Sequence, residues 1–207
     1  MTLTGPTDTA AFWNRLAAAH GHLMFDVGAN GGETARMFAK NFDYVVAYEP
    51  CVESYASLLT LAGGNVTPVN LALTDHAGHV TLREATSAIA HGQLVSGEKD
   101  RPEWGKVIGY REVRCSTVDS EVAQYGVPDA VKIDTEGHEV EVLIGARELL
   151  HRPDAPTLYI EVHDRENLTR ILHALPETYE VEIIRHEYYP QFSDDWQDHF
   201  YMVGNPV

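Results

Sequence analysis

The stretch MFDVGANGGETARMF, residues 24–38, constrains the fold more than any other part of the chain. An apolar run ends in Asp26, glycines follow at Gly28, Gly31 and Gly32, and a helix-compatible segment starts at Glu33. A turn of this kind between strand and helix brings the backbone close to a ligand, because no Cβ stands in the way. It opens a βα unit, and such a unit needs others beside it to cover both faces of its sheet.

The rest of the sequence supplies them. Short apolar runs predict strands at 22–27, 44–49, 65–71, 130–134, 157–162, 179–185 and 199–205. Amphipathic stretches predict helices at 33–40, 51–61, 117–125, 139–150 and 165–175. Residues 79–85 and 110–116 alternate like extra strands outside this rhythm. Between them 86–108 is polar, with Pro102 and Trp104; it reads as a lid or substrate loop, since irregular segments of that length are uncommon in compact domains. Residues 1–21 read as an N-terminal helix or cap on a single domain spanning 1–207.

Composition narrows the function classes. The chain has 31 acidic and 15 basic residues, a formal charge of −16. It lacks the Lys and Arg clusters that a nucleic-acid backbone demands, so nucleic acid is not an expected partner. Its lysines are Lys40, Lys99, Lys106 and Lys132. An acidic, lysine-poor surface suits a salt-rich cytoplasm, although an ordinary acidic protein has the same composition. No apolar run is long enough to span a bilayer, and the N-terminus lacks the basic start and apolar segment of a secretory signal. Cys51 and Cys115 make neither a disulfide framework nor a zinc spacing. A cytoplasmic protein with free thiols is the expectation.

The turn itself discriminates among ligands. Asn30 stands where a G-x-G-x-x-G fingerprint has its second glycine, and there is no Lys-Ser/Thr ending of a phosphate-binding loop. Asp26, two residues before the first glycine, would repel a pyrophosphate. It suits a ligand carrying an ammonium and a sulfonium, as the amino-acid half of S-adenosylmethionine does. Glu49 ends the next strand about twenty residues on, where a carboxylate can accept hydrogen bonds from two ribose hydroxyls. S-Adenosylmethionine is the favoured cofactor. A nicotinamide-dependent oxidoreductase on a related sheet and a non-catalytic cofactor-binding module are the alternatives.

Five blocks then carry a family resemblance. FDVGANGG (25–32), AYEP (47–50), VNLALTDHAG (69–78), VKIDTEGHEVEVLIGA (131–146) and YIEVHD (159–164) resemble, in order, the blocks of the FkbM family of S-adenosylmethionine-dependent methyltransferases. The resemblance runs over residues 22–165, and KIDTEGHE is its most specific part. It implies an α/β, Rossmann-like class I methyltransferase fold: a seven-stranded, mainly parallel sheet with an antiparallel last strand and helices on both faces. It implies that Asp26, Gly28, Asn30 and Gly31 hold the methionine part of the cofactor, that Glu49 holds the ribose, and that Asn70 and Leu71 flank the adenine. It also implies O-methylation of a hydroxyl on a small molecule, sugar or glycan. Thr135 departs from the family, which more often has a branched apolar residue there.

The acceptor side falls to a second cluster. Asp134 ends a strand at the carboxyl edge of the sheet, where ligands of open α/β sheets bind, and Gly137 allows a sharp turn presenting Glu136 and His138. Methyl transfer to a hydroxyl demands positioning and removal of a proton. His138 is the expected base by its intrinsic pKa, with Asp134 and Glu136 as catalytic partners. The plainer alternative makes Glu136 and Glu139 helix-terminal groups and His138 a supporting hydrogen bonder. Asp134, Glu136, His138, Glu161 and His163 also offer oxygen and nitrogen donors at two adjacent strand ends. A divalent Mg²⁺ or Mn²⁺ is therefore an alternative, less favoured because no dedicated spacing such as H-E-x-x-H occurs. The run 187–196, with Tyr188, Tyr189, Phe192 and Trp196, reads as an acceptor wall, a cover for the core or a homodimer contact.

Overall fold

The computed structural model describes residues 9–85, 92–94, 107–185 and 199–207. Its first half runs α1 (Thr9–Ala18), β1 (Gly21–Val27), α2 (Glu33–Phe38), β2 (Phe42–Tyr48), α3 (Val52–Leu58), β3 (Val66–Val69), β4 (Ala72–Leu73), β5 (Gly78–Ala85), β6 (Gly92–Leu94) and β7 (Val107–Ser116). Its second half runs α4 (Val118–Tyr125), β8 (Ala130–Ile133), α5 (Glu139–Ile144), α6 (Arg147–Leu150), β9 (Thr157–Val162), α7 (Arg165–Ala174), β10 (Tyr179–Arg185) and β11 (Phe200–Pro206).

The main sheet has seven strands in the order β10-β11-β9-β8-β1-β2-β3. β3, β2, β1, β8 and β9 pair in parallel, and β11 runs antiparallel to both of its neighbours. This is the predicted mainly parallel sheet with an antiparallel last strand. Successive side chains of a strand point to opposite faces, so each face needs its own cover. Leu23, Phe25 and Val27 of β1 join Val131 and Ile133 in a core roofed by apolar residues of α4 to α7, among them Val118, Leu143, Leu149 and Ile171. Met24, between them, faces a second core with Phe12, Leu16, Ala35, Phe38 and Leu58 from α1, α2 and α3. Among the described residues two helices are capped by side chains: the Thr117 hydroxyl accepts from the Ser120 N–H at 3.1 Å, and Asp164 accepts from the Asn167 N–H at 2.6 Å.

Elsewhere the structure departs from the sequence expectation. The strand predicted at 65–71 stops at Val69; the chain changes sheets and continues as β4 in a second sheet, ordered β4-β7-β5-β6. The extra alternating segments pair with each other there, antiparallel from Gly78↔Cys115 to Ala85↔Val107. The helix predicted at 139–150 is two helices, broken at Gly145. A Cβ on Gly145 would stand 2.0 Å from the Thr74 carbonyl oxygen, so this corner packs against the end of β4. The proposed lid at 86–108, apart from 92–94 and 107–108, and the aromatic run at 187–196 lie outside the described residues. Among the described residues no helix is long and apolar enough to cross a membrane.

α1 is bound into the sheet face: Phe12 stacks on Tyr201 with ring centroids 4.4 Å apart, and Leu16 is fully buried. Leu16→Ala is expected to destabilise the fold by about 2–5 kcal/mol, read from urea denaturation. A loss below about 1 kcal/mol would show that α1 is not docked in solution.

Candidate active site

The glycine turn owes its shape to three neighbouring strand ends. Gly28 has φ 76°, and a Cβ there would lie 1.8 Å from the Asp134 carbonyl oxygen, so only glycine fits beneath the end of β8. The N–H groups of Gly28 and Ala29 both donate to the Tyr48 carbonyl, at 3.1 and 3.0 Å, tying the turn to β2. Asn30 also has a left-handed backbone, φ 48°, which asparagine tolerates better than most residues. Its side-chain oxygen accepts from the Ser54 hydroxyl at 2.9 Å, and its N–H donates to Glu49 Oε2 at 2.8 Å. Glu49 Oε1 accepts from the Cys51 N–H at 2.8 Å. Burial pushes the Glu49 carboxyl up to about 7 against these two N–H groups. A Cβ on Gly31 would come no nearer than 3.9 Å to Ser57. The Asn70 side chain donates to the carbonyls of Glu49 and Pro50, at 2.8 and 3.1 Å. Asn70, Leu71, Pro50, Val52 and Tyr55 border a cavity of about 590 Å³.

Beside the turn lies a buried charged cluster. Lys132 Nζ donates to the Gly28 carbonyl at 2.9 Å and stands 3.4 Å from Asp26 Oδ1 and 3.3 Å from Asp134 Oδ2. Burial opposes its charge, yet Asp134, Asp26 and Glu161 keep it firmly protonated. Asp26 is 0 % exposed and accepts from the Thr34 hydroxyl at 2.7 Å. Burial raises the Asp134 carboxyl to about 7; Lys132 opposes the rise, while Glu161 and Glu136 add to it. His163 joins the β8 and β9 ends: Nε2 is 3.3 Å from Glu136 Oε2 and 3.7 Å from Asp134 Oδ1, and Nδ1 is 3.2 Å from Glu139 Oε1. Glu139 also accepts from the N–H groups of Thr135 and Gly137, at 3.1 and 2.9 Å, and from the Asn167 amide. Burial works against its ionisation, but His163 and the Gly137 N–H hold it down at about 2. His163 itself is desolvated, and Glu136 and Glu139 still hold its pKa well above the ordinary value. Across β11, His199 Nε2 lies 2.9 Å from Glu161 Oε1, and its ring is 4.9 Å from that of His163.

Most residues singled out from the sequence therefore meet at one edge. Gly28, Asn30 and Gly31 form the turn and Glu49 holds it, Asn70 and Leu71 border the cavity beyond Pro50, and Asp134 packs its carbonyl against Gly28 with Glu136 two residues on. Asp26 sits beneath the turn, its carboxylate engaged with Thr34 and Lys132. His138 is not brought to this cluster. It is 3 % exposed and shares a 2.8 Å hydrogen bond with the Thr74 hydroxyl, towards β4. The cause is local: Glu136 and Gly137 have φ of 57° and 98°, and this left-handed turn aims Glu139 at His163 and His138 away from it.

Lys132, His199 and the part played by Glu139 escaped the sequence argument. For Lys132 a signal existed: a lone lysine in the apolar strand Ala130–Ile133 needs a buried partner, and the register Asp26↔Lys132 supplies one. His199 enters only through the pairing Phe200↔Val162, which no local pattern reveals.

Known proteins share this arrangement of strands. Hexuronic acid methyltransferase AglP of Haloferax volcanii is 27% identical over 158 residues, which make up 72% of this chain and 61% of that protein. The chain thus spans less than two thirds of its relative. The crystal structure of an FkbM methyltransferase from Methylobacillus flagellatus has a TM-score of 0.56 at 20% identity, covering 88% of this chain and 43% of that one. An rRNA methylase from Streptococcus thermophilus also has a TM-score of 0.56, at 11% identity, covering 100% of this chain and 99% of the other. Identities this low speak for the fold alone, the Rossmann-like class I methyltransferase fold. The Methyltransferase FkbM domain matches residues 26–187, from the head of the glycine turn to just past β10, and the chain belongs to the FkbM methyltransferase family.

Proposed function

We propose that the protein is an S-adenosylmethionine-dependent O-methyltransferase that acts on a sugar or glycan. The observation that carries the proposal is the shared edge: the strained turn, Glu49 and the Asp134–His163 cluster occupy the carboxyl ends of β1, β2, β8 and β9.

The residues present fit the cofactor. Each Glu49 oxygen already accepts one backbone N–H, which leaves a lone pair on each for a ribose hydroxyl. Gly31 leaves room for close approach, and the cavity bordered by Asn70 and Leu71 has space for an adenine ring. Asp26 fixes the turn from below through Thr34 and Lys132. Bound there, S-adenosylmethionine supplies an electrophilic methyl group on a sulfonium. The chain's own task is to place an acceptor oxygen in line with it and remove the proton. Asp134, Glu136 and His163 face that side, and a carboxyl raised to about 7 exchanges protons readily near neutral pH. The relative AglP bears the name of a hexuronic acid methyltransferase, which supports a sugar as acceptor.

Calorimetry with S-adenosylhomocysteine tests the cofactor half, and folded protein that fails to bind it would overturn the proposal. Given a hexuronic-acid glycan as acceptor, Asp134→Asn is expected to slow methyl transfer by roughly 10²–10⁴-fold, with S-adenosylhomocysteine affinity changed less than about threefold. Glu49 adds a pH signature. Protonation replaces one of its acceptors with a donor, so affinity should drop as pH falls through 7. The drop from pH 8 to pH 6 is expected to be on the order of tenfold and to vanish in Glu49→Gln; a flat wild-type profile would remove Glu49 from the ribose contact.

A further inference from the structure

We propose that Asp134, Glu136 and His163 form a binding site for one divalent cation of the Mn²⁺ class. Among the described residues two groups of donors could share an ion, Asp134–Glu136–His163 and Glu161–His163–His199, the ligand atoms of each lying within 4.8 Å of one another. In the second group Glu161 and His199 satisfy one another at 2.9 Å. In the first, His163 Nε2 stands 3.3 Å from Glu136 Oε2 and 3.7 Å from Asp134 Oδ1. Neighbouring ligands about 2.1 Å from an octahedral ion are about 3 Å apart, so a small inward movement brings the three into place. Lys132 occupies the other Asp134 oxygen, at 3.3 Å, which leaves Oδ1 on the His163 side.

A second, independent arrangement points the same way. Glu139 is fully buried and sits behind the imidazole, 3.2 Å from Nδ1, with its own oxygens held by Thr135, Gly137 and Asn167. Proteins orient a ligating imidazole in this manner, fixing one ring nitrogen with a carboxylate so that the other presents its lone pair. Two carboxylate oxygens and one imidazole nitrogen, with further positions open to water or substrate, suit Mn²⁺ better than the all-oxygen preference of Mg²⁺.

The cation also resolves an electrostatic difficulty. Asp26, Asp134 and Glu161 converge on Lys132, and Glu136 and Glu139 on His163, so carboxylates outnumber cations here and the edge repels an anionic acceptor. A bound cation converts it into a receptor for a sugar carboxylate or an ionising hydroxyl. That use rests on the proposed function; the site does not.

The test is titration of metal-free protein with Mn²⁺ alone, followed by calorimetry and by electron paramagnetic resonance of free Mn²⁺. A single ion per chain is expected. His163→Ala should weaken binding by at least roughly 100-fold and Glu139→Gln by roughly 10–100-fold. Circular dichroism checks that these buried variants fold. Glu136→Gln, at a partly exposed turn, keeps the test decisive if they do not, and should also weaken binding. Glu161→Gln should retain it. Absence of binding up to about 1 mM Mn²⁺, in protein that still binds S-adenosylhomocysteine, would overturn the site while sparing the proposed function. Loss of binding in Glu161→Gln with Glu136→Gln unaffected would overturn it by moving the ion to the other group.

Discussion

Lys132 stands alone among apolar neighbours in β8, with its ammonium between the carboxylates of Asp26 and Asp134 and its proton on the Gly28 carbonyl. A buried carboxylate without such a partner is costly, and two of them ending adjacent parallel strands more so. Removing the ammonium would leave the fully buried Asp26 carboxylate uncompensated, a loss of about 3–5 kcal/mol, so the pairing rests on Lys132. The three groups also fix the alignment of the strands. A one-residue slip between β1 and β8 would turn Lys132 into an apolar core and Asp26 away from it. The glycine turn, hung from the same ammonium, inherits that precision.

A second level of order rests on Glu139. Its carboxylate gathers the Thr135 and Gly137 N–H groups and thereby supports the left-handed backbone of Glu136, a conformation costing about 1–3 kcal/mol in a residue other than glycine. The outcome is a polar layer in which Asn167 of α7 fixes Glu139, Glu139 fixes His163, and His163 faces Asp134 and Glu136. Thr135, unusual for the family by its sequence, has a local role: its hydroxyl lies 3.3 Å from Glu139 Oε1 and donates to it.

How much of this could be read from the sequence depended on distance along the chain. The βα rhythm was legible because strands buried on both faces are continuous apolar runs and their helices are amphipathic. The glycine turn was legible because it is local. Gly28 to Gly32 form one turn, and Asn30 can replace a glycine since it accepts a positive φ and contributes an acceptor for Ser54. The charged cluster beside it was harder. In TEGHE a single left-handed turn decides whether Glu139 or His138 faces inward, and periodicity carries no trace of it. His199 required the β9–β11 register, set by residues more than thirty positions away. The break at Gly145 required the position of Thr74, which belongs to another sheet.

β11 lies between β9 and β10 but is synthesised after both. Until it arrives, each of those strands presents an unpaired edge, and an edge of that kind is a template for pairing with the wrong chain. Closure over a long sequence separation is slow, since the entropy of bringing distant segments together is spent before any contact repays it. The strand that seals the sheet also carries the chain past His199, which sets that imidazole against Glu161. Assembly and competence are thereby joined: a nascent chain cannot complete the outer wall of the candidate site before β9 and β10 are paired with the strand between them.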